Sequence, residues 1–423
     1  MTTNAERAAQ FRRELTSNIL PFWMRHTVDR ENGGFYGAID CDLRVDRQAP
    51  RAAVINARIL WTFSAAARVL GDAAYRETAD WAYDYIVSKF WDKECGGIYW
   101  MLDYLGNPIS DRKQIYAQAF AAYGLAEYFR VTGSAAALEW AKQLYRLIEE
   151  HSGEPEYGGY LEACARDWSA LEDLRLSEKD LNCPKSMNTH LHVLEAYTNL
   201  LGVWPDEVMR ESLRRLLELT MDRIVDGSHF RMFFDSQWTS LTDHVSFGHD
   251  IEGSWLILEA AQVLGERALI DRARELAVRM AGAAYDEGLD RDGSLFYEAS
   301  QGRLIDPNKH WWAQAEAVVG FYNAYQVSGE ERFRTAAWRA WDFIEDKVVD
   351  KIHGEWHAKL KPDGTPWKAE EDADACLVGA WKCPYHNGRA CLEMMERLSP
   401  RGTCGGAEAP RRLKPALQDS DRL

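Results

Sequence analysis

The chain has 423 residues, 46% hydrophobic and 27% charged, a composition that supports a large buried core and excludes a disordered protein. Lys and Arg total 50 against 66 Asp and Glu, and the net charge of −16 repels nucleic-acid backbones and anionic lipid surfaces. No apolar run of eighteen residues occurs, and the polar stretch from Met1 to Arg13 lacks the apolar segment of a signal peptide, so a cytoplasmic protein with no membrane or nucleic-acid partner is expected.

The eight cysteines form no C-x-x-C pair. Neither a P-loop nor a G-x-G-x-x-G following a strand is present, so nicotinamide and nucleotide chemistry are not indicated. Aromatic residues are plentiful, with 17 Trp, 18 Tyr and 15 Phe, and their flat faces suit sugar rings.

Six segments share an acidic or amide residue, glycine and an aromatic residue: Glu31 to Tyr36, Glu94 to Trp100, Glu156 to Tyr160, Asp226 to Phe230, Asp292 to Tyr297 and His353 to Trp356. Their glycines Gly33, Gly96, Gly158, Gly227, Gly293 and Gly354 are spaced 63, 62, 69, 66 and 61 residues apart, an internal repeat. An opening helix is predicted over 5–25. Helix pairs flanking a glycine turn then follow in order: 53–70 and 73–90 about Gly71, 115–131 and 135–148 about Gly133, and 186–201 and 206–225 about Gly202. They continue with 250–264 and 266–284 about Gly265, and 311–327 and 331–348 about Gly329; a closing helix spans 384–398. About twelve helices in antiparallel pairs bury their faces best as a closed double ring, so the expected fold is all-α, a single-domain (α/α)6 barrel over 1–398. Short β-hairpin-like connections gather at one end, and a flexible tail follows over 399–423.

In such a barrel all inner helices point the same way, and their first turns share one mouth. Uncommon polar residues lie at those positions: Arg58; Tyr116 and Gln118; Asn188, His190 and His192; His249 and Glu252; His310, Trp311, Trp312 and Glu316; Tyr385, His386 and Arg389. Helical spacing puts Asn188 with His192, His249 with Glu252, and His386 with Arg389 on shared faces, and turns His190 elsewhere. A helix N-terminus disfavours imidazolium, so His249 and His386 read as neutral bases beneath a potential that favours an oxyanion. Those properties fit proton abstraction α to a carbonyl, and two bases on opposite faces of one carbon would invert it. Metal binding by His192, His249, Glu252 and His386 is the weaker reading, since no H-E-x-x-H motif is present and the aromatic surroundings suit a neutral polyol. Trp311, Trp312 and Trp381 divide between core packing and sugar stacking.

At these residues the chain resembles the cellobiose 2-epimerases of the N-acylglucosamine 2-epimerase superfamily, over roughly residues 5–398. The likeness rests on the segments Asn56 to Phe63, Lys185 to Tyr197, Phe247 to Trp255, Asn308 to Glu316 and Trp381 to Arg389. It implies reversible, cofactor-free epimerisation at C2 of the reducing-end glucose of β-1,4-linked disaccharides; no metal, and a monomer acting on a small oligosaccharide, are the further expectations. It further implies that His249 and His386 are the acid/base pair and that Glu252 orients His249. Arg58, Tyr116, Asn188, His192, Trp312 and Trp381 would hold the sugar, with Asp180 and Tyr297 at further ligand-contacting positions. The rivals are a monosaccharide epimerase or isomerase of the same superfamily, an (α/α)6 glycoside hydrolase with paired carboxylates, and a non-catalytic sugar-binding protein.

Overall fold

A computed structural model describes residues 3–372 and 374–399; of the expected tail only Ser399 lies within them. The opening rod joins α1 (Asn4–Arg13) to α2 (Leu20–His26) through a π-helical stretch, Glu14–Ile19. Five helix pairs follow: α3 (Ala53–Leu70) with α4 (Ala73–Tyr85), α5 (Ile115–Thr132) with α6 (Ala135–His151), α7 (Met187–Leu201) with α8 (Glu207–Leu219), α9 (Phe247–Leu264) with α10 (Arg267–Ala283), and α11 (Trp311–Ser328) with α12 (Glu331–Phe343). The last helix among the described residues is α13 (Tyr385–Leu398). The odd-numbered helices from α3 onward pack each on the next, and α13 closes on α3, so the expected (α/α)6 barrel is the observed fold.

Burial separates the two rings. An outer helix shows one apolar stripe, as α8 does with Met209, Ser212, Leu213, Leu216 and Leu217. An inner helix is touched on every side, and in α3 every residue from Ala53 to Ala67 is buried. By length and composition α3 could cross a membrane, but 83% of it is buried inside the barrel, which marks it as an inner-ring helix. Inner helices α3, α5, α9 and α11 end on Gly71, Gly133, Gly265 and Gly329 with φ of 73, 68, 77 and 76°, the left-handed cap that turns the chain into its outer partner. The expected glycine turn at Gly202 differs: its φ is −64°, and Pro205 then extends the chain until Asp206 caps α8. Helix α9 begins three residues before its expected start, because His244–Ser246 pairs with Glu298–Ser300 and delivers Ser246 as an extended N-cap.

The six Gly-aromatic segments form the rim. Each folds back on the end of the preceding outer helix in an antiparallel bridge, Val28 with Phe35, Trp91 with Ile98, Gly153 with Tyr160, Val225 with Phe230, Leu289 with Leu295, and Val349 with Trp356. Four of them are pinned to the inner helix that follows. The side-chain oxygens of Gln118, Asp250 and Gln314 accept the backbone N–H of Ile98, Phe230 and Leu295, and Nε2 of His190 accepts that of Tyr160 at 2.9 Å. A Cβ at Gly97 would lie 2.8 Å from Gln118 Oε1 and one at Gly159 2.6 Å from His190 Nε2, so glycine is required there for space as well as for its positive φ. Buried cations reinforce the pins: Lys113, Lys185 and Lys309 reach Asp92, Glu154 and Asp290 at 3.0, 3.1 and 2.6 Å.

His190 is thus a structural residue and is held neutral. Its Nδ1 donates to the Ser186 carbonyl at 2.6 Å and its Nε2 accepts, and burial lowers its pKa to about 4. Because the folded value lies below the unfolded value near 6.5, this contribution is complete above pH 6.5 and is lost as pH falls toward 4, on the order of 3 kcal/mol in all. Gln performs the same task at 118 and 314, so His190→Gln should preserve neutral-pH stability within about 1 kcal/mol and remove this acid sensitivity, whereas His190→Leu should cost about 1–3 kcal/mol by stranding the Tyr160 N–H. Urea midpoints of the three proteins at pH 7 and pH 5 test this.

Candidate active site

Arg389 on α13 lies at the centre of the mouth. Its Nη1 donates to Glu195 Oε1 on α7, and its Nη2 donates to Glu252 Oε1 on α9 and, at 2.6 Å, to Glu316 Oε1 on α11. All four side chains are buried. Such charges are costly inside a protein unless paired, and one guanidinium with several donors answers three acceptors.

Two of the carboxylates also orient imidazoles. Glu316 Oε1 accepts from Nδ1 of His386 at 2.7 Å, while its Oε2 accepts from Trp255 Nε1 at 3.1 Å. Glu195 Oε2 faces Nδ1 of His192 at 3.0 Å, and its Oε1 accepts from the Tyr385 hydroxyl. Placing the proton on Nδ1 leaves Nε2 of each ring as the basic atom. His249 differs, since its Nδ1 is 2.8 Å from Ser246 Oγ. The expected orientation of His249 by Glu252 is not what the structure shows: the two share a face of α9, but Glu252 is bound by Arg389 and lies 3.8 Å from Nδ1 of His386 instead. The guanidinium, arriving from another helix, takes the carboxylate.

Burial is the first cause of the low imidazole pKa values. His249 is lowered to about 3 by burial and then by His192 and Arg58, and His386 is pushed well below its ordinary value by burial, Arg58 and Arg389. The neutral state expected from the helix N-termini is present, while the resting pKa of His249 is lower than that of a base matched to neutral pH. A negative charge developing on a bound substrate pulls in the opposite direction.

Arg58, Tyr116, Trp312 and Trp381 surround this core. Arg58 Nη2 donates to the Tyr116 hydroxyl at 2.7 Å, with its guanidinium 4.2 Å over Phe120. Tyr116 lies edge-on to His192 at 5.0 Å and to Trp381 at 6.0 Å, and Trp381 remains 38% exposed. Trp312 packs against both histidines, 4.7 Å from His249 and 5.5 Å from His386. Tyr297 stacks on His310 at 3.7 Å and stands edge-on to Trp312 at 6.1 Å. Asn188 presents a buried Oδ1 with no hydrogen-bond partner. Trp311, by contrast, is buried behind His386 with Lys382 Nζ 4.3 Å over its ring. Asp180 accepts both hydrogen bonds from Ser177 in its own loop.

Glu195 was not legible in the sequence, although its i, i+3 spacing from His192 was the available signal. Of the four residues in the metal reading, the structure groups Glu252 and His386. Among the described residues, ligand atoms of Glu252, Glu316 and His386 lie within 4.8 Å of one another, without His249 or His192. The Arg389 guanidinium already supplies the positive charge to both carboxylates.

Known proteins share this arrangement of helices. The N-acylglucosamine 2-epimerase (GlcNAc 2-epimerase) family pattern matches residues 34–377. The chain is 46% identical to a cellobiose 2-epimerase of Bacteroides fragilis over 91% of its own length and 98% of the relative's, and 40% identical to that of Dictyoglomus turgidum over 91% and 97%. The solved cellobiose 2-epimerase of Bacillus thermoamylovorans superposes with a TM-score of 0.87 at 43% identity, covering 93% of this chain and all of that one. A GH76 α-mannanase of Bacteroides thetaiotaomicron, at 12% identity and a TM-score of 0.59, shares the fold alone. By this likeness over nearly its whole length, the chain belongs to the N-acylglucosamine 2-epimerase family, among its cellobiose 2-epimerases.

Proposed function

We propose that the protein reversibly epimerises C2 of the reducing-end glucose of β-1,4-linked disaccharides, converting cellobiose to glucosylmannose and lactose to epilactose. The observation that carries this reading is the pair of imidazoles held neutral by burial, His249 on α9 and His386 on α13, both against the ring of Trp312. In the open-chain sugar one imidazole removes the C2 proton, and the C–H electron pair moves to make the enediolate. The second imidazole returns a proton to the opposite face, so no atom is gained or lost. Arg58 with the hydrogen-bonded Tyr116 hydroxyl supplies positive potential for the developing oxyanion. Glu316 steadies the imidazolium that forms on His386.

Exposed Trp381 and partly exposed Trp312 offer faces for the sugar rings. A disaccharide is favoured over a monosaccharide by the 46% identity to a cellobiose 2-epimerase against 22% to the D-mannose isomerase of Marinomonas mediterranea. The hydrolase reading needs an acid and a base facing each other across a glycosidic bond, about 5 Å or more apart with the sugar between them. Glu252 and Glu316 instead share one guanidinium.

Cellobiose incubated with the protein should give glucosylmannose and no free glucose, with turnover exceeding that of glucose, mannose or N-acetylglucosamine; a preferred monosaccharide would overturn the substrate assignment. In D₂O the product should carry deuterium at C2, read by proton NMR before reverse turnovers accumulate. His249→Asn and His386→Asn should each lose roughly 10²- to 10⁴-fold in kcat while still binding sugar. Because Arg389 supplies the charge that a cation would, a chelator should leave the rate unchanged.

A further inference from the structure

Three buried carboxylates share one guanidinium, and they are not equally satisfied. Glu316 receives three donors, from Arg389, His386 and Trp255. Glu195 likewise meets Arg389, Tyr385 and His192. Glu252 receives Arg389 at Oε1, and its Oε2 is buried with no partner. Leaving an ionised oxygen in such a place costs more than leaving a neutral one, because an ionised group loses more solvation on burial. Hydrogen bonding and charge balance therefore select the same member of the set.

We propose that Glu252 carries a proton at neutral pH, and that this neutral carboxyl is a positioning residue which limits the negative charge behind His386 while the enediolate forms. The proposal rests on the epimerase reading above. With Glu252 neutral, the cluster comprises Arg389 against ionised Glu195 and Glu316, and the Nδ1 proton of His386 stays on the imidazole, donated to Glu316. With Glu252 ionised, a third negative charge stands 3.8 Å from that Nδ1 and opposes the oxyanion.

The groups that face Glu252 come from the five other inner helices: Arg58 on α3, Tyr116 on α5, Glu195 on α7, Glu316 on α11, and Tyr385, His386 and Arg389 on α13. Burial first, and then Glu316, raise its pKa to about 8 against the pull of Arg389. Glu316 is raised as well, by burial, with Arg389 and Trp255 opposing the push, so the unpartnered Oε2 is what distinguishes Glu252.

Activity should therefore fall as pH rises through about 8, where the proton leaves. The test compares kcat and kcat/KM for cellobiose from pH 6 to pH 10 in the native protein, Glu252→Gln, Glu252→Ala and Glu316→Gln, with thermal melting of each. Gln keeps the neutral charge, so Glu252→Gln should stay within about tenfold of native kcat at pH 7 and lose the alkaline fall. Glu316→Gln should lose roughly 10²-fold or more at every pH, as removal of a group that steadies a catalytic imidazole does. Infrared difference spectra between pH 7 and pH 10 give a readout independent of turnover: one component of the protonated-carboxyl stretch of native protein at pH 7 should be missing in Glu252→Gln, while the components from Glu162 and Glu298, which burial raises to about 7, remain. Loss of activity in Glu252→Gln as deep as in His386→Asn, or a protonated-carboxyl band that disappears in Glu316→Gln instead, overturns the proposal. Absence of native epimerase activity on cellobiose would overturn the functional reading separately, leaving the infrared result to decide the protonation of Glu252.

Discussion

One guanidinium holding three carboxylates is the interaction on which the mouth of the barrel depends. Arg389 reaches α7, α9 and α11 from α13, and thereby links four of the six inner helices at the depth where the imidazoles lie. The remaining two join through Arg58 of α3 and Tyr116 of α5, with Arg58 also over the ring of Tyr385. Ring closure and active-site geometry are consequently the same set of contacts. A shift of any inner helix must stretch a charged hydrogen bond in a buried setting, where the penalty is greatest.

That clamp also explains how the site can be rich in charge and yet keep its histidines neutral. Burial disfavours imidazolium, and the cations Arg58 and Arg389 disfavour it further. The carboxylates act against this at Nδ1, where they fix ring direction while leaving Nε2 free. A neighbouring ring of aromatic side chains, from Phe120 and Tyr116 outward to Trp381, keeps water from the core and offers faces to a carbohydrate.

Much of this was legible in the sequence because repetition amplifies weak signals. Each Gly-aromatic segment is short and ambiguous by itself, but six of them at nearly constant spacing specified the paired helices, and the helical period then placed Arg58, His192, His249 and His386 at one end. What stayed hidden depends on contacts between helices distant in the chain. The i, i+3 relation of His249 and Glu252 suggested a partnership, yet residue 389 proved to be the partner of Glu252. Helical spacing turns His190 away from the shared face, but not toward any partner; its bond to Tyr160 reveals it as the counterpart of Gln118 and Gln314. Gly202 shows the limit of reading a repeat too literally, since it stays right-handed and the chain runs on to Asp206 before the next helix starts.

The rim pins carry a consequence for how such a barrel can diversify. The third connection spans the widest interval between glycine markers, and its long loop leaves Ala163–Cys164 and returns at Lys185–Ser186, two segments each paired to a neighbouring connection. Tyr160 is tied to His190 on one side of that loop, and Ser186 caps α7 on the other. Whatever length or composition lies between these anchors, Asn188 and His192 keep their register, because their positions are set by bonds that the loop does not make. The scaffold separates a part that must be conserved in geometry from a part open to insertion and grafting, and substrate range can change in the second without the chemistry of the first being rebuilt.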